Sequence, residues 1–298
     1  MKMFIKALLA TDLSPASFAM VNCSCLDALS RLGTEECILS MCIDGGTYDL
    51  NVFNQTKLIF EKWLDQQKNI LEEKGLSTSI HVCGESPAKG VPLLAELKQC
   101  SYIILGSRGH GMVSDVLLGS VALEIIHNST VPVLLFRVKG EEEAPEKITC
   151  CSASENILEH VLFPTDFSAN SERAFQYLLE IARKGSTKIT LMHIQEDRRI
   201  KPHLEHRLEE FNRIDSERLA SLKRKILEEA GMDVDISLLH GSAVEEILKF
   251  SEKHGVSLIV IGTRGRGSLA GIFLGSVSHN LSRHSKAPLL LVPDRPRL

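Results

Sequence analysis

Gly106-Ser107-Arg108-Gly109, then nine residues, then Gly119-Ser120-Val121: the pattern returns as Gly262-Thr263-Arg264-Gly265, nine residues, and Gly275-Ser276-Val277. Each copy closes a short apolar run and leads towards a helical stretch. Glycine tolerates positive φ and lets a ligand come close to the backbone, so fixed glycines at a strand end suit the cradling of a phosphate. A spacing kept twice, with its terminal serine, points to two copies of one unit.

Working outward, the rest of the chain repeats too. Phe4–Ser14, which contains Thr11-Asp12-Leu13-Ser14, matches 160–168 with Thr165-Asp166-Phe167-Ser168. Ile70-Leu71-Glu72-Glu73-Lys74-Gly75 matches Ile226-Leu227-Glu228-Glu229-Ala230-Gly231, and Pro132 matches Pro288. Within each copy, short β-rich runs alternate with helical stretches. In the second copy the spacing predicts strands over 161–165, 188–194, 234–239, 258–261 and 289–292, and helices over 171–183, 204–229, 244–254 and 277–284. Ser171 and Ser242 suit N-caps, with Glu245 three residues after Ser242 as in a capping box. Continuous apolar strands separated by helices imply a doubly wound parallel α/β sheet, which binds ligands beyond the carboxyl ends of its strands. The expected organisation is one α/β domain over 1–139, a charged linker bearing Gly140 and Pro145 over 140–156, and a second α/β domain over 157–298.

The chain of 298 residues is long enough for two such cores. Its 34 Lys and Arg against 38 Asp and Glu give a formal charge of −4, which argues against nucleic acid as a partner. No apolar run reaches the roughly 18 residues of a membrane span. The stretch Met1–Ala10, interrupted by Lys6, reads as a first buried strand rather than a signal peptide. All eight cysteines lie at or before Cys151, and neither Cys23-Ser24-Cys25 nor Cys150-Cys151 has zinc-ribbon spacing. Reduced thiols in a cytoplasmic protein are therefore expected, with redox sensing at Cys150-Cys151 left open.

The site residues follow from the repeat. The loop glycines and the helix starts at Ser120 and Ser276 would present backbone N–H groups and a positive helix end to phosphates. Asp12 and Asp166, at strand ends, suit both helix capping and a bond to a ligand hydroxyl or amino group. Arg108 and Arg264 sit inside the loops, with His110 and Arg266 just beyond. His193 closes strand two where copy one has Cys42, and reads as a satisfied strand-end histidine. The helix over 205–229 reads as a solvated face. Neither copy contains G-x-x-x-x-G-K-[ST], so the Walker lysine and its magnesium-binding hydroxyl are absent.

The Thr-Asp-x-Ser starts, the duplicated G-x2-G-x9-G-S signature, and the final strands Val131-Pro132-Val133-Leu134-Leu135 and Ala287-Pro288-Leu289-Leu290-Leu291 resemble the universal stress proteins in their tandem form. The resemblance covers nearly the whole chain outside the linker. It implies two tandem Rossmann-like domains, each with a five-stranded parallel sheet, and an adenine nucleotide at each signature: ATP, or ADP or AMP in its place, with or without magnesium. By position, Asp12 and Asp166 would lie near base and ribose, and Ile43 and Ile194 would offer backbone groups to adenine. Gly106, Gly109, Gly119, Ser120 and Val121, and likewise Gly262, Gly265, Gly275, Ser276 and Val277, would hold ribose and phosphates. Copy one departs from copy two at Ala10 against Pro164, Met20 against Ala174, and in Pro87 and Pro92.

These residues favour a cytoplasmic, ATP-binding stress-response or regulatory protein. The rivals are a slow ATPase or other nucleotide-processing enzyme, and an interaction scaffold with vestigial sites. No metal ligand set and no catalytic residue is assigned. The final strands, 131–138 and 288–292, are expected at sheet edges, where the two halves pair within the chain. A homodimer is compatible with this; neither nucleic acid nor membrane is an expected partner.

Overall fold

The computed structural model describes residues 3–43, 50–109, 118–140, 148–151, 156–196, 207–265 and 274–294. The chain divides into two compact units with the boundary between Asn156 and Ile157. Unit one runs β1 (Lys6–Ala10), α1 (Pro15–Asn22), a 3-10 turn (Ser24–Leu26), α2 (Asp27–Leu32), β2 (Glu36–Cys42), α3 (Leu50–Glu73) and β3 (Ser77–Cys83). It continues with α4 (Pro87–Leu97), β4 (Tyr102–Gly106), α5 (Ser120–Asn128), β5 (Val133–Lys139) and β6 (Thr149–Cys151). Unit two runs β7 (His160–Pro164), α6 (Ala169–Arg183), β8 (Lys188–Gln195), α7 (Leu208–Ala230), β9 (Asp235–His240), α8 (Ala243–Lys253), β10 (Leu258–Gly262), α9 (Ser276–His284) and β11 (Leu289–Val292).

Five strands of unit one lie parallel in the order β3-β2-β1-β4-β5, and the five strands of unit two in the order β9-β8-β7-β10-β11. Both are the doubly wound, Rossmann-like sheet expected from the alternation. The order reverses between β1 and β4, and between β7 and β10, which opens a crevice at their carboxyl ends. β7 and β10 are buried along their whole length, as befits central parallel strands covered on both faces; β11, last in its order, is buried as well, while β9 is half-exposed. Phe163 of β7 packs on Phe175 of α6, ring centres 5.7 Å apart, at the centre of unit two's core. The repeated Glu-Glu-x-Gly ends the long helices α3 and α7: Gly75 (φ +83°) and Gly231 (φ +67°) adopt the left-handed turn that a side chain resists.

The expected N-cap of α6 is corrected. The cap of α6 is Ser168, whose hydroxyl accepts the N–H of Ser171, so Ser171 lies inside the helix rather than at its cap. Ser242 does occupy the N-cap of α8, without a side-chain cap bond. The segment between the signatures contains β6, which pairs antiparallel with β5 and sets Cys150 opposite Val138. Unit one also breaks where unit two does not. The 3-10 turn at Ser24–Leu26 separates α1 from α2, whereas α6 runs unbroken for 15 residues.

Candidate functional site

In unit two the site starts where β7 ends. Thr165 N–H extends the ladder to the Met192 carbonyl (2.8 Å), and the Thr165 hydroxyl accepts the Phe167 N–H (3.0 Å). Asp166 Oδ1 accepts the Ser168 N–H at 3.0 Å. These bonds hold Phe167 at φ +54°, a left-handed conformation uncommon for a bulky residue. Unit one repeats the device: Leu13 sits at φ +59°, Leu13 N–H donates to Thr11 Oγ1 (3.2 Å), and Ser14 N–H to Asp12 Oδ1 (3.0 Å). Asp12 and Asp166 therefore cap with Oδ1 and turn Oδ2 towards the glycine loop.

Gly109, Gly262 and Gly265 are required for space rather than for φ. Among the described residues, none of Gly106, Gly109, Gly262 and Gly265 has positive φ, and Gly119 and Gly275 stand at −60° and −69°. A Cβ on Gly265 would lie 2.7 Å from Asp166 Oδ2, one on Gly262 2.6 Å from Asn170 Oδ1, and one on Gly109 would strike the Asp12 carboxylate. The N–H of Gly275 closes back on the Thr263 carbonyl (2.6 Å), as Gly119 does on Ser107 (3.1 Å). Each helix start is thereby tied to its loop, and the first N–H groups of α5 and α9 have no intrahelical partner.

In unit two these elements enclose a cavity of about 520 Å³. Its lining includes all eight copy-two residues marked by the sequence: Asp166, Ile194, Gly262, Arg264, Gly265, Gly275, Ser276 and Val277. Arg264 is held within the protein, its guanidinium 3.1 Å from Asp294 Oδ2. Arg108 is buried and donates to the Gly140 carbonyl at 2.6 Å. In unit one Asp12, Gly106, Arg108, Gly109, Gly119, Ser120 and Val121 stand at the corresponding strand and helix ends. His110 and Arg266 lie outside the described residues.

Ile43 does not correspond to Ile194. Ala10 is level with Ser40 and Pro164 with Met192, so Met41 is the counterpart of His193, Cys42 that of Ile194, and Ile43 that of Gln195. The Ile43 N–H donates to the Cys83 carbonyl at 2.9 Å. Cys42 is disulfide-bonded to Cys83, with Cα atoms 4.7 Å apart on the neighbouring ends of β2 and β3, which corrects the expectation of reduced thiols throughout.

Sequence reasoning missed the far wall of the cavity. Phe211 and Asp215 of α7 line it together with His193 and Gln195 of β8. Asp215 Oδ2 accepts from Gln195 Nε2 (2.9 Å) and lies 3.4 Å from His193 Nε2, while His193 Nδ1 lies 2.6 Å from the Thr165 carbonyl. Because a carboxylate only accepts, Asp215 fixes the Gln195 amide with its oxygen free, and that buried Oε1 has no hydrogen-bond partner. The signal was present: Asp215 stands four residues after Phe211 and four before buried Leu219, an acid on the apolar stripe. Among the described residues, no group of three or more His, Cys, Asp or Glu is arranged to hold a metal ion, and no helix is long and apolar enough to cross a membrane.

Comparison with known proteins agrees with this geometry. The model of the Universal stress protein family matches residues 3–137 and again 158–293. A universal stress protein of Methanocaldococcus jannaschii is 31% identical over 150 residues, 44% of this chain and 93% of that protein. One from Synechocystis is 24% identical over 292 residues, 96% of this chain and 88% of its own length. The crystal structure of a universal stress protein from Archaeoglobus fulgidus has the same fold, with a TM-score of 0.74 at 24% identity over 98% of both chains.

Proposed function

The chain belongs to the universal stress protein family, and on that footing we propose that it binds an adenine nucleotide, ATP or its lower phosphates, in the strand-end cavity of unit two and at the corresponding ends in unit one. The observation that carries this reading is the convergence of eight sequence-marked residues, seven of them marked by the repeat, on one cavity of about 520 Å³, within the size range of small-molecule sites. The residues suit the ligand. Gly262, Gly265 and Gly275 bring side-chain-free backbone to the cavity wall, and the helix start at Gly275-Ser276-Val277 supplies N–H donors and a positive dipole end. Asp166 Oδ2 would accept from a ribose hydroxyl, and the orphaned Gln195 Oε1 would accept from a base donor.

The proposed role is regulatory: the bound nucleotide biases conformation in a cytoplasmic stress response and is turned over slowly at most. Among the described residues no lysine lines the cavity, and the Arg264 guanidinium is committed to Asp294. The reading covers the nucleotide with or without magnesium. Mass spectrometry of small molecules released on denaturing the purified chain tests it. An adenine nucleotide is expected; its absence, together with no thermal shift on adding millimolar ATP, would overturn the proposal.

A further inference from the structure

We propose that Cys23 and Cys150 form a reversible disulfide site in unit one, with Cys23 as the nucleophile towards hydroperoxides and Cys150 as the thiol that resolves it. Neither residue belongs to the cavity or to the glycine loops. Three sulfurs meet here from separate places: Cys23 caps the end of α1, Cys25 lies in the 3-10 turn, and Cys150 is the middle residue of β6. β6 is held on β5 and packs against α1, which brings Cys150 into hydrogen-bond contact with both Cys23 and Cys25. The break between α1 and α2 creates this meeting. Cys23 leaves the helix with extended backbone (φ −63°, ψ 133°), whereas the matching residue of unit two, Tyr177, lies within unbroken α6.

The surroundings divide the roles. The Cys23 sulfur receives hydrogen bonds from the Cys150 and Cys25 thiols and from the Cys25 N–H (3.4 Å). Lys74, whose ammonium donates to the Cys23 carbonyl at 3.3 Å, adds positive charge. Together these outweigh burial and hold the Cys23 thiol far below the ordinary thiol range, while Cys150, which must donate, is pushed up. Cys23 and Cys150 are half-buried, so a small oxidant reaches them; Cys25 is buried. The other thiols differ: burial pushes Cys37 up to about 12, and Cys42 with Cys83 is already a disulfide.

The steps balance. The Cys23 thiolate attacks the terminal oxygen of a hydroperoxide; the O–O bond breaks, an alcohol leaves after taking a proton, and Cys23 becomes a sulfenic acid. The Cys150 sulfur then attacks the Cys23 sulfur, an S–S bond forms, and the S–O bond breaks. The leaving hydroxide takes the Cys150 proton as water. Two electrons pass from the thiol pair to the peroxide, and a thiol reductant reverses the change. The product ties β6 to the end of α1, the helix whose other end carries the Asp12–Ser14 turn.

Peptide mapping of the full chain, first reduced and then treated with hydrogen peroxide, tests the assignment. The expected product is a Cys23–Cys150 link that forms in the Cys25→Ser variant as well. In Cys150→Ser, a dimedone adduct should accumulate on Cys23. A second measurement needs no variant: iodoacetamide should label Cys23 at a rate that holds as pH falls from about 8 to about 6, where an ordinary thiol slows roughly a hundredfold. Cys23 and Cys150 remaining free under peroxide, a link from either of them to a different cysteine, or Cys23 labelling that slows like an ordinary thiol would each overturn it.

Discussion

The Asn170 side chain accepts the backbone N–H of Arg264 at 2.7 Å while donating to the Val292 carbonyl at 3.2 Å. A residue at the first turn of α6 thus pins the glycine loop of unit two to the end of its last strand. The matching position of unit one is Ala16, which has no such amide. Asn170→Ala leaves the part-buried Arg264 N–H without its acceptor, while the Val292 carbonyl keeps the Thr263 N–H at 2.8 Å, and is expected to cost unit two about 1–2 kcal/mol in a denaturant titration. Nucleotide affinity should fall with it. A variant as stable as the parent would show that the clamp carries no weight.

Gly275→Val should remove nucleotide binding from unit two. A Cβ there already lies 3.3 Å from the Thr263 carbonyl, and a branched side chain crowds the turn at which α9 starts. The expected outcome is loss of one site in the binding stoichiometry with helix content retained by circular dichroism. Unchanged stoichiometry would take the helix start out of the site.

The left-handed residues Leu13 and Phe167 give a backbone prediction. Leu13→Gly should change stability by less than about 1 kcal/mol, since relief of backbone strain offsets lost contacts. Leu13→Val places a β-branched side chain at φ +59° and should destabilise unit one by about 1–2 kcal/mol. Equal effects of the two substitutions would argue against strain at this turn.

Much of this was legible in the sequence, and the failures have physical causes. Strand and helix positions followed from apolar runs, and Leu289–Val292 matches the expected strand to the residue. Thr165-Asp166-Phe167-Ser168-Ala169-Asn170-Ser171 offers several capping side chains, and only the left-handed turn at Phe167 decides for Ser168. Met41-Cys42-Ile43 is uniformly apolar, so nothing local marks which residue lies level with Ile194; strand pairing does. Cys42 and Cys83 are separated by 41 residues, and the parallel register of β2 and β3 alone brings them face to face. Seven of the eight cavity residues were marked because their pattern occurs twice, and Ile194 through the family resemblance. Asn170, Gln195, Phe211 and Asp215 were not, because copy one does not repeat them.

His160 supplies a pH prediction. Burial is the main cause that lowers its pKa, opposed by the bond from its Nδ1 to the His254 carbonyl. Its Nε2 pairs with the Thr190 hydroxyl at 2.9 Å, accepting while the ring is neutral and donating once it is protonated, so the cost of the charge lies in its burial. A depressed folded-state pKa means that stability is fully present above the ordinary histidine value, about 6.5, and declines as pH falls below it. The melting temperature of unit two should therefore drop on acidification through that range, and less so in His160→Gln. Parallel curves for parent and variant would remove His160 from the account.

Catalytic turnover should be slow. ATP hydrolysis by the purified chain is expected far below the ordinary enzyme rate of about 10 per second. Turnover near that rate, retained through purification and lost in Gly275→Val, would place the protein among the enzymes.

The most direct test of the central claim is calorimetric titration of the full chain with ATP, repeated on Gly275→Val. Saturable binding at up to two sites per chain, reduced by one in the variant, is the predicted result. No heat at millimolar ATP, or binding identical in the two proteins, would contradict a nucleotide site at the strand ends of unit two.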